Sequence, residues 1–174
     1  ELQNAAELWF PISPAQKQAL YQLVSPGDWP QALSAFFTLA LVVPICEELL
    51  FRGLILRGLR LRYGPPAALL LSSALFGLSH MRLPAAIAPS FAAGLVLGAV
   101  ALRARSTRPA IALHAAVNAA PLLLSDRLMD APGFNVAPGP VGHVPLWLLL
   151  PASAVAAAAL GALIALSGNR DESK

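Results

Sequence analysis

The sequence predicts an all-α protein: a polytopic transmembrane helix bundle of about five membrane helices, preceded by an N-terminal interfacial segment. Three observations predict it. Of 174 residues, 57% are apolar and only 12% are charged, about half the charge that coats an ordinary soluble domain; mean hydropathy is +0.65. Uncharged runs occupy 29–46, 63–81, 83–102, 109–125 and 131–169, and about 20 apolar residues cross a bilayer as helix. Arginines gather in alternate turns between those runs, as they do on the cytoplasmic side of membrane helices. This composition excludes a disordered chain, which needs low hydrophobicity and high net charge. The formal charge of +3 is read as a record of orientation, and nucleic acid is not expected as a partner.

Residues 1–30 mix Trp9, Phe10 and Leu20 with Pro11, Pro14 and Lys17, and are expected to form an interfacial or connecting segment. A membrane-embedded bundle over 31–167 and a polar tail at 168–174 complete the division. The first helix is expected from about Gln31 to Arg62, with Pro44 inside it removing one backbone hydrogen bond and allowing a kink. Gly64-Pro65-Pro66 stops it. The second helix runs over roughly 65–81, and Arg82-Leu83-Pro84 turns the chain. The third covers about 85–103 and carries Ala92, Ala93, Gly94, Gly98 and Ala99, small residues that let backbones approach in lipid. The fourth covers about 109–124. A Pro/Gly-rich loop leads to a fifth helix from about Pro145 to Leu166. The start at Glu1 rather than Met predicts processing or truncation upstream.

Loop charge predicts a topology. Arg57, Arg60 and Arg62 lie in the first turn and Arg103, Arg105 and Arg108 in the third, with no acid in either. The positive-inside rule puts both turns in the cytoplasm and Trp29 and Trp147 near the opposite interface. The arginines are otherwise expected to contact lipid headgroups. A lone cysteine, Cys46, excludes an intrachain disulfide and any CxxC motif.

The informative residues are polar ones inside apolar helices, because an ionisable group at mid-membrane is costly and persists mainly when paired or functional. Three clusters qualify: Glu47-Glu48-Leu49-Leu50-Phe51-Arg52, Phe76-Gly77-Leu78-Ser79-His80 and His114-Ala115-Ala116-Val117-Asn118. Glu48 and Arg52 are i,i+4 with the acid first, the favourable order for an ion pair. Glu47, rotated about 100° away, has no such partner and is the candidate for proton transfer, with Glu48 and Arg52 supporting it. Glu47 and His80 lie at similar counts on either side of Gly64, so an antiparallel hairpin would bring them to one depth. His114 and Asn118 share a helix face. They read either as interhelical polar contacts or as a donor pair aimed at an oxyanion. Six residues separate His114 from Arg108, a shallower depth than a straight helix assigns to Glu47; the kink at Pro44 or an interfacial segment at 54–63 would reconcile the two. Ser72, Ser73 and Ser79 are expected to back-bond within their helix.

Glu47-Glu48-x-x-x-Arg52, Phe76-x-x-x-His80 and His114-x-x-x-Asn118, in that order on successive apolar helices, resemble the three motifs of the CPBP family. That family comprises type II CAAX prenyl proteases and bacteriocin-processing or immunity-type (Abi) membrane proteins. The resemblance spans roughly residues 32–122. It implies an intramembrane endopeptidase of glutamic type, in which Glu47 and His80 activate a water and His114 and Asn118 stabilise the oxyanion, with Glu48 and Arg52 as supporting positions. The implied substrate is a segment near the C-terminus of a membrane or lipidated protein. No cofactor is expected; Zn²⁺ stays open, since two Glu and two His could hold it, but Asn118 is a poor zinc ligand and no HExxH helix occurs. Richness in Ala, Pro, Arg and Leu points to a bacterial inner membrane and makes a prenylated substrate less natural. The alternative is a non-catalytic immunity or scaffold protein of the same fold. A proton-linked carrier fits poorly, because five helices without a repeat pair lack the usual transporter symmetry.

Overall fold

A computed structural model describes residues 2–25, 27–123, 143–146 and 149–150, and the regular structure among them is entirely helical. Two short helices open the chain, α1 (Leu2–Glu7) and α2 (Pro14–Val24). A capping box starts α2: Gln16 N–H donates to Ser13 Oγ at 3.3 Å, and Ser13 N–H donates to Gln16 Oε1 at 3.1 Å. Pro14 at the first position sacrifices no helical bond. An ion pair between Lys17 and Glu7 ties α2 to α1, and α1 packs on α6.

Helix α3 (Trp29–Ala35) begins where Asp28 Oδ1 accepts from Gln31 N–H at 2.9 Å. From there the chain stays helical without a loop, but not in one register. A π-helical segment π1 (Phe36–Val42) leads into α4 (Val43–Glu48), then π2 (Leu49–Ile55), then α5 (Leu56–Ser79). Val43 N–H donates to Thr38 O and Leu56 N–H to Phe51 O, both i→i−5. Wide turns of this kind are rare and concentrate at functional sites; here they bracket Glu47 and Glu48. The expected kink at Pro44 thus takes the form of a register change on the N-terminal side of that proline. Wide turns also use more residues per turn, so Glu47 lies closer to the Arg57 end than 1.5 Å per residue suggests. That removes the mismatch in depth between Glu47 and His114.

Within α5 the chain turns at Gly64 (φ 75°, ψ 171°), a left-handed-side conformation that glycine adopts without steric cost. Pro65 and Pro66 follow, as at a helix start. The returning helix is stapled to the outgoing one: Ser72 Oγ donates to Phe51 O at 3.1 Å, and the Phe51 and Phe76 rings meet edge-on at 5.0 Å. Ser73 and Ser79 back-bond to Leu69 O and Phe76 O at 2.7 Å each, whereas Ser72 bonds across helices.

Helix α6 (Pro84–Ala104) packs closely on α5. A Cβ on Gly94 would stand 3.1 Å from both Cα and Cβ of Ser73, and one on Gly77 would stand 2.9 Å from Ile87 O. A side chain at Gly77 would force the backbone apart, and one at Gly94 would require Ser73 to give way by a few tenths of an ångström. The helix ends at Arg105, left-handed at φ 52°, with Ser106 N–H donating to Ala101 O and Arg105 N–H to Leu102 O; this is the Schellman pattern. Helix α7 (Arg108–Leu123) then runs against α4, π1 and α6, closing a small core of Leu97, Val100, Ala101 and Ala110 with Leu113 against it. The expected fifth helix, the loop before it and the polar tail lie outside the described residues, save for fragments in which Leu149 N–H donates to Pro145 O at 3.0 Å.

Among the described residues one helix, Pro84–Ala104, is long and apolar enough to cross a membrane by itself, with a mean hydropathy of 2.0 over its best 18 residues. The other expected spans are divided by the π segments, broken at Gly64 or interrupted by Arg57, Arg60 and Arg62, and α7 has 16 residues. An apolar stripe nevertheless faces outward along the first long helix. Trp29, Leu33, Phe37, Leu41, Ile45 and Leu49, four residues apart, are all exposed, Trp29 at 87%.

Candidate active site

The site is built around Glu48, which is completely buried on α4. Its Oε1 accepts two hydrogen bonds. Arg52 Nη1 donates at 2.7 Å from one turn further along, and His114 Nδ1 stands 2.9 Å away on α7. A carboxylate only accepts, so Nδ1 carries the proton in this bond. That assignment leaves His114 Nε2 as the second functional atom of the ring, and it faces Glu47 Oε2 at 3.7 Å. The imidazole therefore stands between two adjacent carboxylates. One is buried and bonded; the other is half-buried and lacks a direct bond to the ring.

Arg52 is 2% exposed and neutralises Glu48. Taking two charges out of water costs several kcal/mol per ion, which their attraction repays only with good geometry and further contacts. Arg52 meets that demand twice more: Nη2 donates to Gly94 O at 3.1 Å, and the guanidinium lies 4.4 Å over the Phe76 ring. The missing side chain at Gly94 brings the α6 backbone near enough to offer that carbonyl. Glu48 Oε2 is a buried oxygen without a hydrogen-bond partner among the described residues.

Phe76 is the apolar hub. Its ring packs edge-on against Phe51, His80 (5.2 Å) and His114 (5.9 Å) while carrying Arg52 on its face. His80, at the end of α5, makes its hydrogen bonds locally: Nδ1 lies 3.0 Å from Phe76 O and 3.2 Å from Ser79 Oγ. Donation from Nδ1 to the carbonyl leaves Nε2 of His80 as an acceptor. The imidazole beside Glu47 is thus that of His114, and His80 joins the cluster through the Phe76 ring. Asn118, one turn beyond His114, donates from Nδ2 to Leu39 O at 3.0 Å. Leu39 lies five residues before Pro44, so its carbonyl is the one an i→i−5 bond from residue 44 would fill. Proline has no N–H to give; Asn118 supplies the donor.

The six sequence-selected residues thus lie on α4, π2, the end of α5 and α7, and Arg52, His80 and His114 contact one aromatic ring, that of Phe76. Glu47, Glu48, Arg52 and His114 are brought together directly. Phe76, Gly94, Leu39 and Pro44 are the participants to which sequence reasoning assigned no role in the site. The four-residue spacing from Phe76 to His80 was the available signal for the first; nothing in the sequence pointed to the carbonyl of Leu39.

Fold and site define a class: an all-helical protein whose buried centre is a guanidinium–carboxylate–imidazole chain with a second carboxylate at its open end. A family model described as type II CAAX prenyl endopeptidase Rce1-like matches residues 29–120, a stretch containing every residue of that centre. The chain belongs to this Rce1-like family, a family of integral membrane proteases. Comparison with curated proteins and with solved structures returned no match.

Proposed function

We propose that this protein is a multi-pass intramembrane endopeptidase that hydrolyses a peptide bond near the C-terminus of a membrane-associated protein. The observation that carries the reading is the bonded chain Arg52–Glu48–His114 ending opposite Glu47. Glu47 is the proton carrier: it takes a proton from the attacking water and returns it to the leaving amine. His80, with Nε2 as an acceptor, helps to orient that water. The carbonyl oxygen gains negative charge as the tetrahedral intermediate forms. His114 and the second N–H of Asn118 Nδ2 are the donors for it. For Nε2 of His114 to donate while Nδ1 donates to Glu48, the ring must hold both protons at that step. Glu48 and Arg52 are positioning residues.

The reading is metal-free. Glu48 Oε1 already accepts hydrogen bonds from Arg52 and His114, which fits a positioning carboxylate. Among the described residues no three His, Cys, Asp or Glu side chains gather as ligands. The outward stripe from Trp29 to Leu49 supports a lipid-facing surface beyond α6, because soluble monomers rarely expose contiguous apolar bands of this length. The arginine-bearing turns then face the cytoplasm, and a bacterial inner membrane is the proposed location. The test is cleavage, by the purified full chain in liposomes, of a candidate membrane protein with a defined C-terminal tail. Cleavage is expected from the wild type and not from Glu47→Gln or His80→Ala. Persistence in both variants, or loss of activity restored only by added zinc, would reject the mechanism.

A further inference from the structure

A cavity of about 530 Å³ opens beside Arg52, between the end of π2, the start of α5 and the end of α6. Its lining divides in two. Arg57, Arg60 and Arg105, with Ser106 and Thr107, make a cationic and hydrogen-bonding half; Leu56, Leu61, Ala101 and Leu102 make an apolar half, and Arg52 is the charged residue at its inner wall. Among the described residues that line it, none is acidic. Helix α7 starts beside it: Arg108 N–H donates to Ser106 Oγ at 3.3 Å, so the Ser106 hydroxyl keeps its own proton for a ligand. Arg105 occupies this rim in a left-handed conformation, φ 52°.

We propose that this cavity binds the phosphate of an anionic phospholipid. The chemistry recognised is a phosphate-class oxyanion: guanidinium groups and hydroxyls from two chain segments, 52–61 and 101–107, line one cavity. The source is a lipid rather than free phosphate because the other half of the cavity is aliphatic, and Leu61 beside it is 92% exposed. A basic pocket between helices at the cytoplasmic side is the expected seat of an acidic headgroup. The inference rests on the membrane reading proposed above, though not on the protease chemistry.

The experiment uses the full chain reconstituted in nanodiscs and then released for native mass spectrometry. Phosphatidylglycerol and phosphatidylcholine are supplied in equal amounts, with a separate arm of the same mixture plus inorganic phosphate. One phosphatidylglycerol per chain is expected to be retained preferentially. Arg57→Gln/Arg60→Gln is expected to cut that preference about thirtyfold, the effect of two surface arginines. Both residues are exposed and outside the catalytic cluster, and an unchanged melting temperature in phosphatidylcholine alone certifies the variant's fold. Equal retention of both lipids, an undiminished preference in the variant, or abolition of the preference by inorganic phosphate would overturn the headgroup site. Failure of the chain to insert into nanodiscs would overturn the membrane reading as well.

Discussion

His114 Nδ1 and Glu48 Oε1 lie 2.9 Å apart although 66 residues separate them in the chain. This bond joins α7 to α4 and decides which nitrogen of His114 faces Glu47. It also makes Glu48 a shared acceptor, so the buried charge of Arg52 and the orientation of the imidazole depend on the same oxygen.

Glu48→Gln is expected to destabilise the protein by about 3–5 kcal/mol, because Arg52 is left buried without its counter-ion. Removing both charges in Glu48→Gln/Arg52→Met should recover most of that loss. Equilibrium unfolding in detergent checks it; a double variant as unstable as the single one would refute the ion-pair account.

Glu47→Gln is expected to leave the melting temperature within a degree or two of wild type, since Glu47 makes no direct bond to the His114 ring. Activity on a cleavable tail should fall by about 10²–10⁴-fold, the usual contribution of a general base. Parallel melting and cleavage assays separate the two effects. A stable variant that still cleaves removes Glu47 from the mechanism.

Gly94→Ala places a methyl 3.1 Å from Ser73 Cα and Cβ, backbone-borne atoms that cannot rotate away. Overpacking of this kind costs about 1–3 kcal/mol. The shift of α6 also draws Gly94 O from Arg52, so activity should fall with stability. An alanine variant that melts like wild type would show that α5 and α6 have room to spare.

Asn118→Ala is expected to cost about 0.5–1 kcal/mol through the orphaned carbonyl of Leu39. Pro44→Ala restores a backbone N–H at the position where the i→i−5 bond is missing. The cost of Asn118→Ala should therefore shrink in the Pro44→Ala background, and a double-mutant cycle reads the coupling directly. Zero coupling would mean that the asparagine does not stand in for the proline's missing donor.

Phe76→Leu keeps an apolar side chain yet removes the ring face under Arg52 and the edge contacts to both imidazoles. A loss of about 1–2 kcal/mol is expected from the cation–π and aromatic terms. Reduced activity should accompany it, measured as kcat at saturating substrate. Wild-type kcat in a folded Phe76→Leu protein would reduce the ring to a packing residue.

Several features were legible before any coordinates. Glu48 and Arg52 had to share a helix face, since four residues make about one turn, and they do so with a 2.7 Å bond. Gly64-Pro65-Pro66 had to break the helix, and Gly64 does so with a positive φ. The three polar clusters were conspicuous against an apolar background, and all three fall within the residues that match the Rce1-like family. Other features were not legible. A hairpin count matched Glu47 to His80 in depth but said nothing about rotation, and the imidazole that faces Glu47 belongs to α7.

The amino-acid sequence by itself determined the helical character of the described residues, the break at Gly64 and the Glu48–Arg52 pair, because local periodicity and proline or glycine chemistry act over a few residues. Only the tertiary structure decided which imidazole meets which carboxylate, which carbonyl Asn118 completes and where the arginines enclose a cavity. Those relationships depend on the rotation and depth of one helix against another. Here two π-helical turns and the glycine-tight contact of α5 with α6 set both, and neither is written in the spacing of any one segment.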